Sequence, residues 1–145
     1  MIKAIVLYVS VSLSALLTST YSYNLPDQHE DISPFVGSWH YSTNTYEMNL
    51  EVFEIGDTFK AYASVIAMNG EHTDTGNKES PNIEIIRFNP KTQLLSIKIT
   101  STYSGAVFEA TLRKVDSSHV EFTLGEKIQK GIHFFPRKPT ALSRR

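Results

Sequence analysis

Apolar and polar residues alternate with a period of two along most of this chain, and turn-forming residues interrupt the alternation at regular intervals. That pattern admits strands and excludes amphipathic helices, whose apolar positions recur every three to four residues. Seven runs follow from it: 36–42, 45–55, 58–68, 82–88, 93–101, a run carrying Ala106, Phe108, Ala110 and Leu112, and 119–124. A short apolar stretch at 132–135 makes an eighth. Between them lie Gly56-Asp57, Asn89-Pro90-Lys91-Thr92, Ser104-Gly105 and Asp116-Ser117-Ser118, each suited to reversing the chain. Residues 69–80 are polar throughout and read as a loop over one end of the sheet. Eight short strands with hairpin links predict an all-β fold, a single eight-stranded antiparallel up-and-down barrel, because closure removes the exposed edges an open sheet would carry.

The ends of the chain read differently. Lys3, then the uncharged and mostly apolar run 4–17, then small polar residues to Ser22 have the layout of a secretory signal peptide, cleaved near Ser22. The expected organisation is a signal peptide over 1–22, a polar linker over 23–34, the barrel over 35–136 and a basic flexible tail over 137–145. The run is short for a membrane span and no basic cluster follows it, so no stable membrane anchor is expected after cleavage. There is no Cys, which removes disulfides, thiol catalysis and Cys-based zinc sites. Asn-x-Ser/Thr is absent. The expected location is periplasmic or secreted.

Charge is unevenly spread. Residues 23–126 hold 7 basic and all 15 acidic residues, whereas residues 127–145 hold 6 basic and no acidic ones. A basic last strand beside an acidic neighbour accounts for this asymmetry; an interaction tail is the other reading.

No catalytic constellation stands out. His29, His40, His72, His119 and His133 are scattered, and none lies beside a nucleophile in a recognisable setting. Glu71-His72-x-Asp74 is a compact group of metal-capable side chains, and its spacing fits no metal-binding motif. The expectation is a protein without enzymatic activity, cofactor, metal or nucleic-acid partner. It would bind a small molecule, or another envelope or secreted protein.

Gly37-Ser38-Trp39, at the head of the first strand, resembles the Gly-x-Trp that opens lipocalin and avidin barrels. The resemblance implies a closed barrel end sealed by Trp39, with Gly37 and a basic residue of the last strand, expected here at Arg137, as its structural partners. The order Trp39, Thr45, Tyr62-x-Ser64 is similar to the avidin pattern of ligand contacts, although this chain has one Trp where avidins have several. Met68-Asn69-Gly70 and Phe135-Pro136-Arg137-Lys138 also resemble stretches of small exported bacterial proteins. Tyr41, Thr45, Tyr62, Ser64 and Tyr103 are therefore the candidate ligand-binding residues.

Pattern alone leaves one choice open. On strand 58–68 one face holds Phe59, Ala61, Ala63, Val65 and Ala67, and the other holds Lys60, Tyr62, Ser64, Ile66 and Met68. The avidin-like order favours Tyr62 pointing inward, over a bound ligand. With the Ala face inward, Tyr62 would join Ile66 and Met68 on the surface. The barrel, unless filled from across, would keep internal room, and an inhibitor or immunity-type protein working through its outer surface would be the better reading.

Overall fold

A computed structural model describes residues 31–145. The proposed signal peptide and most of the linker lie outside the described residues. Nine strands follow one another: β1 (Gly37–Ser42), β2 (Tyr46–Ile55), β3 (Thr58–Ala67), β4 (His72–Thr75), β5 (Ile83–Asn89), β6 (Leu94–Thr100), β7 (Val107–Lys114), β8 (His119–Gln129) and β9 (Thr140–Arg144). All pairings are antiparallel. β1, β2, β3, β5, β6, β7, β8 and β9 close a ring, and β4 stands outside it as an addition to β3. The all-β, eight-stranded up-and-down barrel expected from the alternation is the observed fold.

Four expectations are corrected. The closing strand is Thr140–Arg144, inside what was read as a flexible tail, and not 132–135. Pro136 and Pro139 both follow 132–135 and lack an N–H, so a ladder begun there could not run on, and pairing resumes only after Pro139. The 69–80 stretch is not a plain loop, since β4 lies within it and pairs with β3 from Ser64 to Ala67. The linker ends sooner than expected, because Ile32 is buried in the core beside a short 3-10 turn (Ser33–Phe35). Finally, Ala61, Ala63, Val65 and Ala67 are the buried face of β3, so Tyr62 and Ser64 face outward. Burial follows the face that completes the core with Met48, Leu50 and Val52 on β2, and methyl groups lose nothing on desolvation whereas a hydroxyl needs a partner.

Trp39 closes one end. It is fully buried, and its indole N–H donates to the Phe35 carbonyl at 2.8 Å. Two cations lie over its ring, Lys114 Nζ at 4.5 Å and the Arg144 guanidinium at 4.3 Å. Each is held by carbonyl groups, Lys114 by Pro34 and Arg144 by Val36 and Ser117. A basic residue of the last strand does cover the Trp, but it is Arg144 and not Arg137, because β9 begins after Arg137. Gly37 has φ +133°, and a Cβ there would sit 2.6 Å from the Arg144 guanidinium. The glycine leaves the space in which that cation reaches the ring.

The opposite end is stoppered by the segment 131–136 between β8 and β9. Phe135 is buried against Phe108 and Phe122. Phe134 stacks on His72 at 4.8 Å and meets Tyr103 edge-on at 4.9 Å, while its carbonyl accepts from the Tyr46 hydroxyl at 3.0 Å. Residues expected to form the eighth strand thus form a plug. Gly131 permits the close approach, since a Cβ there would lie 2.8 Å from Ala106 Cβ.

Candidate functional site: a cleft at the seam between two strands

The barrel wall is most thinly paired between β3 and β5, with one paired position against two between β1 and β9. β2 covers one edge of β3 along its whole length, so β4 and β5 must share the other edge. β4 takes Ser64–Ala67, and β5 pairs only through Ala61 and Ile83. Between these, the Asn82 side chain acts as a piece of ladder: its Oδ1 accepts from Ala63 N–H at 2.9 Å and its Nδ2 donates to the Ala63 carbonyl at 3.0 Å. Gly76 packs against that amide so closely that a Cβ would collide with it. Beyond Ala61 the first residues of β3 have no partner on this side. The cause lies in β5, where the register shifts between Ile85 and Arg87. Ile86 is the extra residue of a bulge, and a bulge bends its strand.

At this seam a cavity of about 840 Å³ enters the barrel. Thr58 and Phe59 line it from β3, and Ile85 to Phe88 from β5. Its far wall follows one rung of the sheet, Ile85–Ile97–Ala110–Leu124, each residue opposite the next across β5 to β8. Ala110 is the small member of that rung, and Ile32 completes the lining. The buried lining residues, Ile32, Phe88, Ile97 and Ala110, are all apolar. The two ionisable ones, Arg87 and Glu109, are exposed and carry opposite charge. Size and character match a small-molecule pocket, commonly about 300–1,000 Å³ and mostly apolar.

The residues singled out from the sequence lie elsewhere, in three groups. Tyr41 faces inward at the plugged end, its ring 6.1 Å from that of Tyr46. Tyr103 is half-exposed there, against His72 and Phe134. Thr45 is exposed in the β1–β2 turn. Tyr62 and Ser64 lie on the outer wall. The Tyr62 hydroxyl donates to Glu51 at 2.6 Å, and that bond, which favours the neutral phenol, pushes its pKa up to about 12. Lys78 completes the cluster by pairing with Glu51 at 2.7 Å and covering Phe53. None of these five residues lines the cavity. One sequence signal did point to it: Ile85-Ile86 places two large apolar residues in succession and breaks the alternation, as a bulge does.

The plugged end holds two polar groups of note. Asp74 is fully buried, and its carboxylate accepts from Ser101 Oγ (2.5 Å), Thr102 N–H (2.7 Å) and Thr102 Oγ1 (2.9 Å). With Asp74 so engaged and His72 stacked on Phe134, the Glu71-His72-x-Asp74 group does not converge. Among the described residues no group of three His, Asp or Glu side chains is placed to hold a metal ion. His133 packs its ring 4.8 Å from Phe108, and its Nδ1 is buried without a hydrogen-bond partner. Burial, and then the positive charge of Lys127 and Arg137, lowers its pKa from the ordinary 6.5, against an opposing effect of Asp74. A base whose pKa is depressed on folding binds its proton more weakly in the native state. Stability is therefore whole above pH 6.5, declines as pH falls below that value, and levels off below the native pKa. His133→Leu should flatten this part of the stability–pH curve, as read by urea midpoints across that range. An unchanged curve would mean that the imidazole is solvated in the native protein.

Protein families, curated proteins and solved structures contain no match to this chain.

Proposed function

We propose that this protein is an exported, non-enzymatic barrel of the calycin type that holds a small apolar molecule in the cavity at the β3–β5 seam. The single observation that carries the reading is that cavity: both barrel ends are closed by packed side chains, yet a mostly apolar cleft opens at the seam with Ala110 in its wall. The Gly-x-Trp start, with a last-strand cation over the Trp, supports the calycin-type comparison. The fold by itself assigns no activity.

Ala110→Phe tests the reading. A phenyl ring at this position enters the cavity, so stability should hold or rise, as in other cavity-filling substitutions. Binding of a neutral fluorescent probe such as phenylnaphthylamine should be lost. If the interior were already packed, the same change would destabilise by about 1–3 kcal/mol through overpacking, and the proposal would fail. The alternative, a periplasmic inhibitor or immunity-type protein working through its outer wall, gains from the inward Ala face of β3 and rests on Ile66 and Met68, which are exposed on the outward face of β3 and in the turn after it; the cleft at the seam is what places it second. Charged or polar substitution of these two residues would weaken a protein partner and leave probe binding intact.

A further inference from the structure

Resting on that reading, we infer that the ligand is an uncharged apolar molecule and that it is admitted sideways through the β3–β5 seam, not through either end of the barrel.

The route follows from what closes the other openings. At one end Trp39 is fully buried under Lys114 and Arg144, and both cations are tied to backbone carbonyls. At the other end Phe134 and Phe135 fill the lumen, and the plug is fastened by Tyr46 to the Phe134 carbonyl and by Ser104 to the Ile132 carbonyl. Opening either end means breaking hydrogen bonds and exposing buried aromatic surface. The seam is held more lightly, by the Asn82 amide on Ala63 and a single ladder position. One paired position, Ala61 with Ile83, joins β3 to β5, and the bulge at Ile86 already bends β5. The cavity meets both lips, Thr58 and Phe59 on one side and Ile85 and Ile86 on the other. Ile86 is 53% exposed on its lip, an apolar surface at the mouth.

Ligand charge follows from the lining. A charged ligand would need a buried counter-charge or convergent donors, since an unpaired charge in such a site is strongly disfavoured. The buried lining residues offer none, and the hydroxyls of the lining, on Thr58, Ser96, Thr111 and Thr123, belong to exposed or half-buried residues and carry no charge. The outer surface around the mouth does not select a sign either. Continuing the β3–β5 register from Ala61 and Ile83 sets Lys60 opposite Glu84. Glu84 pairs with Lys98, and Glu109 follows opposite Lys98, so charges of alternating sign cross the wall. Arg87 and Glu109, the two charges at the cavity, balance each other.

The absence of Cys makes the route testable. Lys60→Cys with Glu84→Cys places a thiol on each lip beside the last paired position. They lie one step past the Ala61–Ile83 pair, where paired Cα atoms are about 4.5–5.5 Å apart, and a disulfide between them holds the two lips together. Ser104→Cys with Ile132→Cys fastens the plug instead. Uptake of phenylnaphthylamine is followed by stopped-flow fluorescence in each full-length protein, oxidised and then reduced. The seam-locked protein should take up the probe at least about tenfold more slowly and recover on reduction, as expected when binding requires an opening that is blocked. The plug-locked protein should match the unmodified one. Ile86→Trp, which adds bulk to a lip without a cross-link, should also slow uptake. Unchanged uptake in both seam variants, or slowing in the plug-locked protein, would overturn the route. Equal affinity for the anionic relative anilinonaphthalene sulfonate would overturn the assignment of an uncharged ligand. Should the unmodified protein bind no probe at all, the ligand-binding reading itself falls, a result distinct from the others.

Discussion

Trp39→Ala is expected to destabilise the protein by about 3–5 kcal/mol, the range for truncating a large, fully buried aromatic side chain. Three losses combine at this position. The indole leaves a cavity that Phe35 and Leu142, both part of the same core, cannot fill without moving backbone. The Phe35 carbonyl loses its donor. Lys114 and Arg144 lose the ring they lie over, and Lys114 is already in a position where burial and then the charge of Arg144 lower its pKa. Trp39→Phe should cost less, because a smaller aromatic face remains under the cations. Urea unfolding followed by far-UV circular dichroism measures both. In the unmodified protein this single Trp should emit at short wavelength and shift to the red on unfolding. A loss below about 1 kcal/mol, the range of ordinary surface and mild core changes, would show that the residue does not seal the barrel.

Asp74→Ala should be the second most damaging single change, at about 3 kcal/mol, since hydrogen bonds to a buried charged group are each worth about 1.5–3 kcal/mol and do not add fully. The carboxylate joins β4 to the turn between β6 and β7, through Ser101 and Thr102. The same turn carries Ser104, whose hydroxyl holds the Ile132 carbonyl of the plug. Removing Asp74 therefore loosens the plug as well as the wall. Amide hydrogen exchange over 131–135 should rise more than exchange over 111–114, at the end of β7 away from that turn. Asp74→Asn retains an acceptor for Thr102 and an N–H that Ser101 Oγ can accept, so it should retain most of the stability. If Asp74→Asn were as damaging as Asp74→Ala, the negative charge itself, and not the hydrogen-bond geometry, would be what this corner requires.

Most of the barrel was legible in the sequence because its determinants are local. Period-two alternation locates a strand wherever one face is wet and the other dry, and Gly56-Asp57, Asn89-Pro90 and Asp116-Ser117-Ser118 reverse the chain whatever lies across from them. The place of Trp39 at a closed end came instead from the resemblance of Gly37-Ser38-Trp39 to the Gly-x-Trp of lipocalin and avidin barrels. The strand at 132–135 was misread because a short apolar run looks alike in a ladder and in a plug; only the space left by the other strands decides between them. The orientation of β3 lay beyond pattern because both its faces carry apolar side chains, and a one-residue difference in register reverses every one of them. Pairing of Ala61 with Val52 and Ile83 made that choice, through contacts far apart in the chain. It also moved Tyr62 and Ser64 from the expected ligand site to the outer wall. What local sequence determined, then, is seven of the eight barrel strands and the antiparallel turns that join them. Tertiary structure alone decided that Arg144 covers the Trp, that Phe134 and Phe135 stopper the other end, and that a bulge at Ile86 leaves one seam open, since each depends on which distant strands come to lie side by side.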